Sequence, residues 1–445
     1  MDKDARVVAR HMRQKRSKAA GAPAVAALPD DLIPEILVRV DDGPALFRCA
    51  LACKQWRDLV VDPSFLWRRW PKGARHRTSL LGFVARHGHI CATWMPTQPA
   101  FIPVPRSLLG HSRRLLGSFF PCATNGLLDD AVPLTMRSGL ILVRLGPSSD
   151  TSPDQIWEGI RLAACNLLTG KCDVLPPLNY DAFATGTAKF VILADTDYCS
   201  KELPTSLPRY STFFKVMVIF YEYSATSYNM CTFSSANTSW STPRRCIYHM
   251  NSATIYGSAV VSMGKVHWLL WNMGNFYIIE VCITTDHLSL TNFHIPLDYH
   301  EDYSSNIAVH LSPTVDGKVS LLHLYTTTCL RLQTWTRQGN KDSSDDNAVQ
   351  QHPKVIELKY KPQGTANAFY MHVGEKTGML LVTDRRKFTC IVNPETGKVD
   401  EVTGMFDDMD LYNIVPFEMD WAAFFMSRLE AFYPLGLSQF RQRLQ

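Results

Sequence analysis

Two parts of unlike architecture are written into this chain of 445 residues: a small all-α domain near the amino terminus, then a large all-β domain of propeller type. Three observations predict it. Apolar residues recur at helical spacing between Leu32 and Val60, and that periodicity all but vanishes afterwards. From residue 79 onward, short runs rich in Val, Ile, Phe, Tyr, Trp and Thr succeed one another between Gly, Pro, Asn, Asp and Ser, which is how strands and hairpins are signalled. A turn carrying Asn166, Thr169, Gly170, Lys171 and Asp173 returns as Asn393, Thr396, Gly397, Lys398 and Asp400, each time between apolar runs. That repetition favours a radial array of like units over the alternative, a large sandwich.

Residues 1–27 form a basic leader. Residues 1–18 hold seven Lys and Arg against two Asp, which accounts for the whole net charge of +5 and leaves the remaining chain balanced. A neutral body gives no electrostatic reason to bind nucleic acid. The leader itself reads as a nuclear address, a polyanion-binding arm or a solvated tail, with residues 19–27 as a flexible joint.

The helical domain is expected over residues 28–70. Asp30 and Asp31 offer caps for a first helix whose face carries Leu32, Ile33, Ile36, Leu37 and Val40; Pro34 is tolerable only in its first turn. A second helix opens at Pro44 after Asp42 and Gly43, and Leu46, Cys49, Ala50, Cys53 and Trp56 continue the stripe into a third that ends near Val60. Asp62-Pro63 is expected to break the pattern before Phe65, Trp67 and Trp70. Three helices in some forty residues bury too little to be self-sufficient, so a partner is expected. Six basic and seven acidic residues between Leu28 and Trp70 argue against a helix-turn-helix DNA reader.

The landmarks Leu28-Pro29, Ile36-Leu37, Cys53-Lys54 with Trp56, and Asp62-Pro63 with Phe65 resemble the F-box. The resemblance implies docking on the Skp-type adaptor of a cullin ubiquitin ligase, with Leu28, Pro29, Leu32, Ile33, Ile36, Leu37, Leu46, Cys49, Cys53 and Trp56 as the adaptor-binding residues.

Residues 71–78 read as a basic linker, and residues 79–445 as the β domain. Its first strand is placed at residues 79–85. Later runs fall at 139–145, 160–168, 188–194, 213–223, 259–271, 276–283, 319–325, 330–335, 379–383 and 388–392. Looser echoes of the Asn-Thr-Gly turn occur at Thr285-Asp286-His287 and Ser239-Trp240, while Gly264-Lys265 and Gly317-Lys318 look like repeated strand openings. Residues 338–351 form a polar loop, and residues 424–437 a short closing helix. The dipeptides typical of kelch and WD repeats are missing. The layout instead resembles the F-box-associated β domains of plant proteins: the Asn-Thr-Gly-Lys turn leads toward Leu175-Pro176-Pro177, and the segment from Pro416 to Trp421 closes the domain. The run from Leu127 to Pro133, with Ser138 to Leu142, is similar to grass members of that group.

Catalytic motifs are absent from the sequence: no nucleophile elbow, phosphate loop or zinc helix, although His300-Glu301 begins like the last. His87, His89 and Cys91 have metal-ligand side chains on what alternation would make one strand face, against an ordinary reading as polar residues at a strand end. Trp268, Trp271 and Trp335 read as blade core. The twelve cysteines form no Cys-x-x-Cys pair, so reduced thiols are expected, and no cofactor or metal is implied. No run reaches the ~18 apolar residues of a membrane span, and the charged amino terminus is unlike a secretory signal; an intracellular chain, in cytoplasm or nucleus, is expected. Two functions follow. In one, the chain is a non-enzymatic receptor that holds a target protein for ubiquitination. In the other, the β domain is a hydrolase or a small-molecule or glycan sensor with the F-box as a regulatory handle. Carboxylates with raised pKa in a central channel would favour the second.

Overall fold

The computed structural model describes residues 29–40, 42–71, 76, 79–88, 98–105, 107–121, 126–146, 159–178, 188–198, 212–222, 226–248, 253–293, 308–314, 316–326, 329–336, 353–358, 369–384, 388–402 and 404–430. The leader, His89, Cys91, His300, Glu301 and the polar loop at 338–351 lie outside them.

The amino-terminal layer contains four helices where three were expected: α1 (Leu32–Leu37), α2 (Gly43–Ala52), α3 (Lys54–Val60) and α4 (Pro63–Arg69). Asp62-Pro63 starts a helix instead of ending the pattern. Pro63 sits in the first turn, where its missing N–H costs nothing, and the Asp62 carboxylate accepts from the amides of Ser64 at 2.8 Å and Phe65 at 3.4 Å. Asp42 caps α2 in the same way through the Ala45 amide. The expected cap on α1 is not made: Asp31 has helical backbone angles and no side-chain bond, while Asp30 accepts from Gln55 Nε2 at 2.9 Å and ties α1 to α3.

The β domain is a six-bladed propeller. β1 (Leu80–His87), β2 (Ala100–Pro103) and β3 (Arg114–Leu115) are three strands of one blade. Blade 1 is β4 (Val132–Arg137), β5 (Leu140–Arg144), β6 (Leu162–Asn166) and β7 (Lys171–Val174). Blade 2 is β8 (Lys189–Ala194), β9 (Phe214–Glu222) and β10 (Ser227–Ser234), with an outer edge split between β11 (Ser239–Trp240) and β12 (Arg244–Tyr248). Blade 3 is β13 (Thr254–Ser262), β14 (Lys265–Asn272), β15 (Asn275–Cys282) and β16 (Leu288–Phe293); blade 4 is β17 (Ala308–Pro313), β18 (Val319–Thr326), β19 (Leu330–Thr336) and β20 (Lys354–Glu357). Blade 5 is β21 (Phe369–Val373), β22 (Leu380–Asp384), β23 (Thr389–Val392) and β24 (Val399–Glu401).

The ring closes with β25 (Met409–Glu418), which pairs antiparallel with β1 and becomes the inner strand of blade 6. The register runs from Leu80 opposite Glu418 to His87 opposite Met409, so the two ends of the β domain share one sheet. Inner strands β4, β8, β13, β17, β21 and β25 adjoin one another in order around the channel.

The repeated turn falls at equivalent places, joining the third and fourth strands of blades 1 and 5. Asn166 Oδ1 accepts from the Leu168 and Thr169 amides at 2.9 and 3.2 Å, and Asn393 Oδ1 from those of Glu395 and Thr396 at 2.9 Å each. Gly170 and Gly397 supply φ of 72° and 70°, a region other residues enter at a cost. Thr285-Asp286-His287 joins the same two strands of blade 3. The run expected at 259–271 is two strands: Met263 and Gly264, both at positive φ, turn β13 into β14. Trp268 and Trp335 are buried in two different cores, and Trp271, on the other face of β14 from Trp268, packs against the core of Trp335.

After β25 the chain forms α5 (Trp421–Glu430), three residues earlier than expected; residues beyond 430 lie outside those described. Trp421, Phe425 and Leu429 repeat at helical spacing and are buried. They join Leu37, Leu46, Phe65 and Trp70 of the helical layer and Phe101, Ile141 and Phe417 of the ring in one apolar core. Phe47 lies 5.5 Å from Phe424, and Trp70 5.3 Å from Phe425. Gly43 allows this approach, since a methyl group there would stand 2.8 Å from the Trp421 ring.

Candidate functional site

The residues named from the sequence for adaptor docking divide by burial. Leu32 and Ile36 are 45% and 47% exposed, and Pro29 and Cys53 are also exposed. Ile33, Leu37 and Leu46 are not available to a partner: they are buried at 6%, 1% and 0% exposure against α5 and the rest of the layer. Cys49 and Trp56 are half-buried, and Leu28 lies outside the described residues. The reason is periodicity. In so short a helix as α1 the apolar residues point two ways, Ile33 and Leu37 inward at spacing four and Leu32 and Ile36 outward at the same spacing. Leu51, 47% exposed, was not anticipated; it falls one position out of phase with buried Leu46 and Ala50. Glu35 and Arg68 fix α1 to α4 by a two-pronged ion pair at 2.6 and 2.5 Å, and the Arg68 hydrogen bonds hold the Glu35 carboxyl below its usual range.

A second polar site lies in the ring, where the inner strands end beside α5. Arg137, last in β4, donates to Asp197 of blade 2 through Nε at 2.9 Å and Nη2 at 2.8 Å, and pairs with Glu375 of blade 5. Glu375 also accepts from the Val261 amide of blade 3 at 3.2 Å. Because blades 1, 3 and 5 are not neighbours, the bonds from Glu375 to Arg137 and to Val261 span the ring on the side of α5. Lys376 pairs with Asp420, while Glu418 accepts from the Lys376 and Thr377 amides at 2.9 Å each. Burial works to raise the Asp420 carboxyl, but Lys376 outweighs it and holds that group below the carboxylate range.

Of the three residues weighed as metal ligands only His87 is described, and its Nδ1 faces the Asp408 carboxylate at 3.2 Å. Among the described residues no three His, Cys, Asp or Glu side chains group as metal ligands would, and no helix is long and apolar enough to cross a membrane.

Residues 25–70 match the F-box-like family model. No curated protein matches the chain. Solved structures of similar shape include a Lactobacillus plantarum protein at 9% identity, over 73% of this chain and 82% of that one, with a TM-score of 0.39. TolB from Acinetobacter baumannii matches at 10% identity, over 82% of this chain and 73% of its own, with a TM-score of 0.42. The SapL1 lectin in complex with alpha methyl fucoside matches at 8%, over 73% and 97%, with a TM-score of 0.37. At such values none of them bears on function. The class of protein reached here is an F-box-like helical layer joined to a six-bladed propeller.

Proposed function

We propose that this chain is the target-selecting subunit of a Skp–cullin–F-box ubiquitin ligase. The helical layer docks on the Skp-type adaptor through Pro29, Leu32, Ile36, Leu51 and Cys53, and the propeller holds the target protein. The observation that carries this reading is the division of the layer: one side is consumed by α5 and the ring, while the F-box-like segment still leaves large apolar side chains in water. The target is held at the rim away from α5, where Met273 stands 74% exposed at the tip between β14 and β15 with φ of 47°, a conformation a flexible apolar residue occupies at a cost. Kinship with the plant F-box-associated β domains rests on the sequence motifs, and residence in cytoplasm or nucleus follows from the partner.

The chain transfers nothing itself; it raises the effective concentration of a target lysine near a conjugating enzyme held by other subunits. Replacing Ile36 with Asp tests the reading, since an exposed position tolerates the charge and an adaptor's apolar groove does not. The variant should fold normally and bind adaptor more than about 30-fold more weakly. Wild-type co-purification of a folded Ile36→Asp chain with adaptor would refute the docking edge.

A further inference from the structure

The outer strands of the propeller are guarded against pairing with other chains, with one exception. An outer strand presents unpaired N–H and C=O groups, and proteins blunt such edges with shortness, charge or irregularity. β3 has only two residues. β7 carries Lys171 and Asp173, β20 carries Lys354 and Glu357, and β24 carries Asp400 and Glu401. The edge of blade 2 is split between β11 and β12, and β12 holds Arg244 and Arg245 and pairs with a register shift. β16 has none of these devices. Its six residues, Leu-Ser-Leu-Thr-Asn-Phe, include no charge, proline or glycine, and its pairing with β15 runs without a shift.

The free side of β16 has a definite pattern. The His287 carbonyl accepts from the Cys282 amide at 2.9 Å, so by alternation Ser289, Thr291 and Phe293 bond to β15, while the backbone groups of Leu288, Leu290 and Asn292 point outward. Leu290 is 38% exposed, and Asn292 is exposed beside it. In either direction from Leu290 the strand meets a small hydroxyl residue, Ser289 or Thr291, and then another residue with an outward amide and carbonyl. We propose that β16 is a self-association edge, pairing antiparallel with β16 of a second copy of this chain about a two-fold axis at Leu290. Leu290 then faces Leu290, and Leu288 faces Asn292. Ser289 faces Thr291 at the closer of the two antiparallel spacings, where hydroxyl side chains hydrogen-bond. About six backbone hydrogen bonds form across the axis, two from each outward pair. No ionised side chain lies on either strand to be desolvated. Any extended strand satisfies the outward amides; the symmetry about Leu290 is what selects the chain's own copy. Because β16 runs from the α5 side toward the rim that carries Met273, the two copies lie head to tail, the helical layer of each on the side of the other's rim.

Sedimentation equilibrium of the full-length protein over about 1 to 100 µM tests this. The strand is small beside the roughly 20–30 residues a side of a standard interface, so a dissociation constant in the micromolar range is expected. Leu290→Lys and Leu290→Glu each set like charges against one another across the axis and should weaken the dimer about tenfold or more. An equimolar mixture of the two should recover it, because position 290 meets itself. Asn292→Lys, at an exposed position, serves if circular dichroism shows that a Leu290 variant has lost its β signal, and should weaken the dimer in the same direction. Wild-type protein that stays monomeric at the highest concentration would overturn the inference and leave the edge to an extended strand of another protein. A dimer unchanged in folded Leu290→Lys would overturn it as well. Leu32 and Ile36 are exposed too, so the Ile36→Asp chain is the control. It should dimerise as the wild type does, which keeps this edge separate from the receptor reading; loss of the dimer there, with Leu290→Lys unaffected, would place self-association in the helical layer instead.

Discussion

The helical layer and the propeller solve the same problem, a shortage of internal contacts, in opposite ways. The ring is closed by its own material, β25 beside β1, so every inner strand has neighbours on both sides. The layer cannot close itself. Four helices of six to ten residues enclose Leu37, Leu46 and Phe65 only with the help of Trp421, Phe425 and Leu429, delivered from the far end of the sequence. A partner was expected for this layer because it is so small. The structure supplies one from within the chain and still leaves Leu32 and Ile36 exposed. Burial deficit and binding surface are therefore separate properties, carried by opposite sides of one six-residue helix.

The sharpest way to break this comparison is to remove the shared piece. Phe425 is fully buried between the two regions, and Phe425→Ala should cost about 3–5 kcal/mol of stability. Equilibrium denaturation followed by helical and β signals should show the helical transition moving to lower denaturant first. A variant that loses β structure while the helices persist would mean that the layer does not depend on α5.

Acid should separate the regions next. His310 and His372 lie buried in the ring, His323 half-buried, and all three are held down at about 4 by desolvation, whereas residues 29–71 contain no histidine. Their folded pKa values lie below the unfolded value of 6.5, so their contribution is complete above pH 6.5 and is lost as pH falls through 6.5 toward 4. Each histidine then costs the ring up to about 1.4 kcal/mol per pH unit. The urea midpoint of the β signal at pH 7.5, 6.0 and 5.0 should fall steadily, and less steeply in His323→Phe. A pH-independent midpoint would show that these imidazoles are not buried.

The smallest effect probes equivalence inside the ring. Asn166→Ala and Asn393→Ala each remove one acceptor oxygen that serves two backbone amides in matched hairpins and should cost about 1 kcal/mol apiece, additively in the double variant. Thermal denaturation decides it; unequal costs would mean that the two turns are alike in sequence but not in load.

What the sequence revealed about the ring depended on burial. Most of the recognised runs became second and third strands such as β5, β6, β18 and β22, which are flanked on both faces and read as continuous apolar stretches. Fourth strands such as β7 and β24, Lys171–Val174 and Val399–Glu401, are short, largely polar and have no buried residue, so composition hid them. Inner strand β13 was merged with β14 because Met263 and Gly264 make a two-residue turn with little polar signal. For the docking edge, the stripe was visible but its direction was not. Ile33 and Leu37 share one phase and Leu32 and Ile36 another, and only the position of α5 decides which faces inward. The ion pairs across the ring were out of reach altogether, since Arg137, Asp197 and Glu375 come together through ring closure and through no local spacing.

The pairing of Leu80 with Glu418, followed at once by α5, also sets a timetable. On a ribosome adding roughly 5–20 residues per second, β1 and the amino-terminal helices emerge tens of seconds before the strand and helix that complete them. Until then the blade has an open edge, the helical core lacks its aromatic wedge, and the side chains meant for the interior are exposed alongside those meant for a partner. The segment from β25 to α5, synthesised after the other blades, finishes both regions together. Chains terminated before Trp421 therefore lack a finished helical layer, and the same contacts that join the two regions act as a proofreading step on synthesis through α5.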